Sequence, residues 1–172
     1  MPDNADVVVV SGCRTAIGSF GGSLKDCSPA ELGTVSLKES LQRSGLAPDA
    51  VKHAVFGNVI QTEPRDMYLS RYIAVNAGLP VETPALTLNR LCGSGLQAII
   101  SAAQMIMLGD AETAAAASVT RRRLLSMCRR AEACRNTWLK RTSLSAWATL
   151  NMTDSRRPST GPGLGLDINS SG

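Results

Sequence analysis

The chain alternates short runs of aliphatic residues with longer segments in which apolar residues recur at helical spacing. The short runs, bounded by Gly, Pro, Asp or other polar residues, predict β-strands at residues 6–12, 53–60, 84–88 and 113–119. The longer segments predict helices at residues 29–44, 66–77 and 94–108. Strands that alternate with helices indicate an α/β layered fold with a mostly parallel sheet.

Two of these elements carry a further prediction about burial. The unbroken valine run in the first strand, residues 7–10, favours a strand buried on both faces. The helix at 94–108 has few polar interruptions along its length, chiefly Gln97, Ser101 and Gln104, so we expect it to be buried on every face. At about fifteen residues it is too short to span a bilayer, which favours a buried helix in a protein core.

Cys92 lies at the junction between the third strand and this helix. Unpaired backbone N–H groups and the positive end of the helix dipole stabilise a thiolate there, so the sequence predicts a lowered pKa and a nucleophilic sulfur. Gly93 and Gly95 have no side chains and would let a substrate approach the sulfur. Cys92 is therefore the candidate catalytic residue.

Three interpretations of this segment are open from the residues alone. Cys92 could be a buried structural cysteine, which is a frequent role for free cysteine. Residues 93–98 also fit the dinucleotide-binding pattern G-x-G-x-x-A between a strand and a helix. That fit is weak because Asp110 and Glu112 precede the next strand instead of ending it. The third interpretation is nucleophilic acyl transfer by Cys92.

The composition narrows the class of protein. The start of the chain is acidic and shows no targeting pattern. The number of cysteines is odd and no C-x-x-C pair occurs, which argues against a disulfide framework and a metal site. Free cysteines are typical of a reducing compartment, so we expect a cytoplasmic protein. The single histidine, His53, is expected at the surface and not as a base. The five cysteines are Cys13, Cys27, Cys92, Cys128 and Cys134.

The charge changes sign along the chain. Residues 1–120 carry eight Lys and Arg against eleven Asp and Glu, whereas residues 121–172 carry ten against three. The last segment is rich in arginine, and its end is rich in Ser, Pro and Gly. The change near residue 119 predicts two parts: a folded segment, residues 1–118, and a basic tail, residues 119–172.

Four motifs, in their order along the chain, resemble those of thiolases, the family of β-ketothiolases and acetyl-CoA acetyltransferases. The resemblance covers about residues 6–114, and the motif that contains Cys92 is the most specific. The motifs are residues 8–18 with Gly21 and Gly22, residues 56–61, Arg71 with residues 77–80, and residues 89–98 (Asn-Arg-Leu-Cys-Gly-Ser-Gly-Leu-Gln-Ala).

The resemblance implies a thiolase-type layered fold, here a partial N-terminal domain, with Cys92 as the nucleophile. The implied reaction is thiolytic cleavage of a 3-ketoacyl-CoA, or the reverse Claisen condensation of acetyl-CoA. Coenzyme A or acyl-CoA would be the substrate, with no permanently bound cofactor and no metal. The family is homo-oligomeric; we expect neither a membrane partner nor a nucleic acid.

The sequence departs from the family after Cys92. Thiolases use a histidine from a Gly-His-Pro motif and a second cysteine from a Cys-x-Gly motif, and neither motif occurs here. The resemblance therefore implies little or no turnover by this chain alone. We interpret residues 119–172 as a disordered or out-of-frame segment. The alternatives are a β-ketoacyl synthase-like condensing enzyme and a non-catalytic fragment with a basic interaction tail.

Overall fold

A five-stranded sheet forms the centre of the chain. The computed structural model describes residues 7–19, 22–119 and 149–154. The strands are β1 (Val7–Cys13), β2 (His53–Gly57), β3 (Ala85–Leu88), β4 (Thr113–Ser118) and β5 (Thr149–Asp154). The helices are α1 (Pro29–Ser44), α2 (Leu69–Ala77) and α3 (Ser94–Leu108), with short 3₁₀ turns at Pro48–Ala50 and Pro64–Tyr68.

The sheet has the strand order β1-β5-β4-β2-β3. The pairs β4–β2 and β2–β3 are parallel, whereas β5 runs antiparallel to both of its neighbours. Four of the five strands therefore point the same way, and the predicted α/β fold with a mostly parallel sheet is confirmed.

The helices form a layer on each face of the sheet. Along β2, Ala54 and Phe56 pack with α1 and α2 in one apolar cluster, whereas Val55 packs with α3 in a second. Strand β4 divides in the same way and is buried at every position. Because β4 contains four consecutive alanines, helices on both faces can approach its backbone closely.

Helix α1 begins as the sequence predicts. Ser28 is its N-cap: the Ser28 Oγ accepts a hydrogen bond from the Glu31 N–H at 3.1 Å, and the Glu31 carboxylate accepts one from the Ser28 N–H at 2.7 Å. This reciprocal pair satisfies two N–H groups that lack a partner inside the helix. The helix ends at Gly45, which has a left-handed backbone.

The predicted burial of the valine strand is wrong. Val8, Val9 and Val10 of β1 are all exposed. The described elements leave these side chains uncovered on both faces of β1, which is an edge strand whose only strand partner among the described residues is β5. A run of β-branched residues predicts a strand, but it does not decide whether that strand lies at the centre or the edge of a sheet.

The predicted burial of α3 is correct for one face only. Ala98, Ala102 and Ile106 are buried against the sheet, whereas Leu96 and Leu108 on the other face are 65% and 71% exposed. The described residues place the sheet on one side of α3 and no second layer on the other. By length and composition alone, the segment Leu91–Leu108 is long and apolar enough to cross a membrane, which corrects the expectation that the helix is too short. Since the core helix of a soluble protein passes the same test, this is weak evidence.

The predicted tail, residues 119–172, lies mostly outside the described residues. Val119 and β5 are the parts of it that the structure describes. For the six residues of β5 the structure has a strand between β1 and β4 where the sequence predicted no ordered element. The division at residue 118 stays a prediction.

Candidate functional site around Cys92

Cys92 lies in a five-residue turn between β3 and α3. Strand β3 ends at Leu88 and α3 begins at Ser94, as the sequence predicts. Cys92 is exposed and its thiol is free. The amides of Gly95 and Leu96 follow in the first turn of α3, where a helix offers no internal acceptor. The structure thus places the candidate nucleophile at the surface, beside a helix N-terminus.

The turn has an unusual backbone conformation just before Cys92. Leu91 has φ of 48°, the only positive φ among the described residues other than glycine. The Gly93 N–H donates to the Arg90 carbonyl at 3.0 Å, and the Ser94 N–H donates to the Leu91 carbonyl at 3.1 Å. These two bonds close the chain tightly around Cys92. A left-handed leucine is uncommon because its Cβ crowds the backbone.

The hydroxyl group of Ser94 bonds to two backbone groups of this turn. Its Oγ accepts a hydrogen bond from the Arg90 N–H and donates one to the Leu91 carbonyl, both at 2.8 Å. Ser94 is also buried. The side chain of Arg90 also bonds to α3. Its guanidinium donates to the Gln97 side chain, which in turn donates to Ser101 at 3.1 Å.

Asn89 joins the turn to the segment that follows β2. Its side-chain Oδ1 accepts a hydrogen bond from the Leu91 N–H at 2.9 Å. Its Nδ2 donates to the carbonyl of Val59 at 3.1 Å. Asn89 and Ser94 belong to the motif at residues 89–98, but the sequence assigned a role only to Cys92 and the neighbouring glycines. The available signal was a short polar side chain on each side of the cysteine, since such residues commonly bond to nearby backbone groups.

The end of β2 packs against the start of α3, next to the turn that carries Cys92. Gly57 lies so close to α3 that a Cβ atom on it would be 2.9 Å from the backbone of Ser94. The next residue, Asn58, donates its N–H to the Leu88 carbonyl at 2.9 Å. The turn that carries Cys92 is therefore built on the carboxyl ends of two parallel strands, β2 and β3.

His53 and Cys92 lie at opposite ends of two neighbouring strands. It begins β2, whereas Cys92 follows the end of the parallel strand β3, so the length of β2, about 13 Å, separates the two levels. Burial lowers the pKa of His53 from its ordinary value of 6.5, and the Asp110 charge acts weakly in the other direction. His53 is partly buried, not at the surface as predicted, and this placement leaves it unsuited as a base for Cys92.

The other described cysteines lie away from this turn. Cys13 is buried at the end of β1 and its Sγ donates to the Ser36 carbonyl at 2.9 Å. Cys27 is partly buried just before α1. Cys128 and Cys134 lie outside the described residues. Among residues 7–19, 22–119 and 149–154, no cluster of three or more His, Cys, Asp or Glu side chains could hold a metal ion.

A buried polar group that sequence reasoning missed lies beneath the loop after β2. Asp66 is fully buried, and its Oδ2 accepts hydrogen bonds from the Thr62 N–H and Oγ1 and from the Glu63 N–H, at 2.7, 2.9 and 3.0 Å. Asn58 donates to the Asp66 carbonyl at 3.4 Å. These bonds fold residues 58–66 into a compact loop. They also explain why α2 begins at Leu69 and not at the predicted residue 66, since Asp66 belongs to the preceding 3₁₀ turn.

The family model described as "Thiolase, N-terminal domain" matches residues 7–145. Among curated proteins, the chain is 67% identical over 109 residues to the beta-ketothiolase BktB of Cupriavidus necator, covering 63% of this chain and 28% of that protein. It is 42% identical over 106 residues to the mitochondrial 3-ketoacyl-CoA thiolase of Homo sapiens, covering 62% and 27%.

A solved structure shows the same likeness in three dimensions. The human mitochondrial 3-ketoacyl-CoA thiolase in complex with CoA aligns with a TM-score of 0.64 and 39% identity, over 65% of this chain and 28% of that one. The chain spans less than a third of the length of these relatives. Since the family model covers well over half of the sequence, the chain belongs to the thiolase family, within which it matches the N-terminal domain.

Proposed function

We propose that Cys92 is the nucleophile of a thiolase-type acyl transfer, with an acyl-CoA as substrate. The observation that carries the proposal is the position of an exposed, free thiol in the turn before α3, inside the segment that the family model matches. A sulfur at this position is open to a thioester and lies next to helix-terminal N–H groups that can stabilise developing negative charge.

The half-reaction that this site can perform is transfer of an acyl group to Cys92. The Cys92 thiolate attacks the carbonyl carbon of acetyl-CoA, the carbon–sulfur bond to CoA breaks, and CoA leaves as a thiolate that takes up a proton. The product is an acetyl thioester on Cys92. In the degradative direction the Cys92 thiolate attacks the 3-keto carbon of a 3-ketoacyl-CoA, and the bond between C2 and C3 breaks. The departing enolate takes up a proton at C2 and leaves as acetyl-CoA, and the shortened acyl group remains as a thioester on Cys92. No permanently bound cofactor enters either step.

We propose that the chain by itself stops after this step. Proton transfer to and from the reacting groups needs a nearby acid or base. The only histidine in the sequence is His53, which lies at the start of β2, away from the end of β3 that precedes Cys92. No Cys-x-Gly motif is present. The chain is expected to act in the cytoplasm. The resemblance implies a homo-oligomeric family, and neither a membrane partner nor a nucleic acid is expected.

The test uses acetyl-CoA labelled in the acetyl group, followed by peptide mapping. The expected result is label on the peptide that contains Cys92, its loss on addition of free CoA, and no label after Cys92→Ser. Cys27→Ser is the matched control and should leave labelling unchanged. Equal labelling of Cys27 and Cys92, or label that persists in Cys92→Ser, would contradict the proposal. Transfer from an acyl carrier protein but not from CoA would favour the condensing-enzyme alternative.

A further inference from the structure

The starting point is the left-handed backbone of Leu91, immediately before the proposed nucleophile. Its φ of 48° is disfavoured for any residue with a Cβ atom. A disfavoured conformation persists only when surrounding contacts hold it. The direction in which the chain leaves Leu91 decides where Cys92 points, so the contacts that hold Leu91 also position the sulfur.

Side chains hold both polar backbone groups of Leu91. The Asn89 carboxamide accepts from the Leu91 N–H at 2.9 Å, and the Ser94 hydroxyl donates to the Leu91 carbonyl at 2.8 Å. Ser94 is buried against Gly57, so its replacement would disturb core packing as well. Asn89 is exposed, and its removal would leave the core intact.

Asn89 has a second contact that fixes the turn to the rest of the fold. Its Nδ2 donates to the Val59 carbonyl at 3.1 Å, beyond the end of β2. One carboxamide thus links two segments thirty residues apart and uses its acceptor on the residue before Cys92. An exposed side chain with both ends engaged in this way restricts the turn to one arrangement without contributing to the apolar core.

We propose that Asn89 is a positioning residue for Cys92: it holds Leu91 in the left-handed conformation and so directs the sulfur toward the incoming thioester. This inference rests on the proposed function of Cys92. Asn89 does not touch the substrate in this scheme. Its effect passes through the backbone of Leu91, and it should therefore alter acyl transfer far more than folding.

The experiment compares Asn89→Ala with Asn76→Ala. Asn76 is a matched control because it is also exposed and its Nδ2 also donates to a backbone carbonyl, that of Tyr72, at 2.7 Å on α2. The rate of Cys92 acetylation by acetyl-CoA is divided by the rate of its alkylation by iodoacetamide. Small misplacements of reacting atoms reduce rates strongly, so Asn89→Ala should lower this ratio by about tenfold or more. Asn76→Ala should leave it within about twofold.

A second variant separates positioning from simple loss of structure. Glycine adopts the left-handed region without strain, so Leu91→Gly in the Asn89→Ala background should raise the ratio about threefold. The buried thiol of Cys13 serves as a folding reporter and should stay protected from alkylation in all variants. An unchanged ratio in Asn89→Ala would overturn the proposal. So would failure of Leu91→Gly to restore any of the loss while Cys13 stays protected.

Failure of the proposed function is distinguishable from failure of this inference. If acetyl-CoA does not acetylate Cys92 in the unaltered chain, the proposed function is wrong. The turn can then be tested by the alkylation rate of Cys92 relative to Cys27 in the same molecule. A relative rate that shifts by more than about threefold in Asn89→Ala but not in Asn76→Ala would still support the role of Asn89 in the turn. An unchanged rate would overturn it.

Discussion

Gly57 and Ser94 are in direct backbone contact across two elements of the fold. A Cβ atom on Gly57 would lie 2.9 Å from the carbonyl carbon, the carbonyl oxygen and the Cβ of Ser94. Carbon atoms at that separation overlap. The last residue of β2 therefore has to be glycine for α3 to begin where it does, and the position of α3 in turn determines the position of the Cys92 turn.

Gly57→Ala is expected to destabilise the protein and to move the start of α3. Overpacking of this kind typically costs about 1–3 kcal/mol, and here the contact is with backbone that cannot rotate away. Urea unfolding should show a lower midpoint. Gly93→Ala is the control, because a Cβ there would lie 3.4 Å from the Arg90 carbonyl oxygen, in ordinary contact, with φ of −90°. Equal losses in the two variants would mean that the close approach of β2 and α3 has no energetic consequence.

Removal of the Asp66 carboxylate should destabilise the loop after β2. Asp66→Ala leaves three donors, two from Thr62 and one from Glu63, without their acceptor in a buried site. The expected loss is about 2–3 kcal/mol in the free energy of unfolding. Asp66→Asn keeps one acceptor oxygen and should lose less. Asp49→Ala removes an exposed carboxylate and should change stability by no more than about 0.5 kcal/mol.

Stability should fall as the solution is acidified below the ordinary pKa of histidine. Burial lowers the pKa of His53 in the folded state below 6.5, so the unfolded chain binds a proton that the folded chain does not bind. Unfolding is therefore favoured as the pH falls from about 6.5 toward the lower folded-state pKa. His53→Gln should flatten the dependence of the urea midpoint on pH within that window. An identical slope in the variant would assign the acid sensitivity to other groups.

The exposed face of α3 should limit solubility without adding stability. Leu96 and Leu108 are 65% and 71% exposed, and lysine has nearly the helix propensity of leucine. Leu96→Lys with Leu108→Lys should reduce light scattering on concentration and change the free energy of unfolding by about 0.5 kcal/mol or less. Ile106→Lys places the same side chain on the buried face and should cost about 3 kcal/mol or more. A large loss in the double variant would show that the outer face of α3 is covered.

Local sequence features predicted the elements well because the residues that start and stop them act locally. Ser28 and Glu31 form a capping box at the predicted start of α1, and Gly45 and Gly109 follow the last residues of their helices with left-handed backbones. Helix α3 has the predicted bounds, from Ser94 to Leu108. In contrast, β2 ends three residues before the predicted residue 60. It stops where Gly57 meets α3, and that contact depends on an element almost forty residues further along the chain.

The sequence by itself determined the alternation of strands and helices, the family and the placement of Cys92 between β3 and α3. All of these follow from short-range spacing and from motifs that are contiguous in the chain. Only the tertiary structure decided that β1 lies at an edge, that β5 pairs between β1 and β4, and that α3 buries one face. It also brought Asn89 to the carbonyl of Val59. Such features depend on which segments meet in space, and hydrophobic periodicity carries no information about the partner that covers an apolar face.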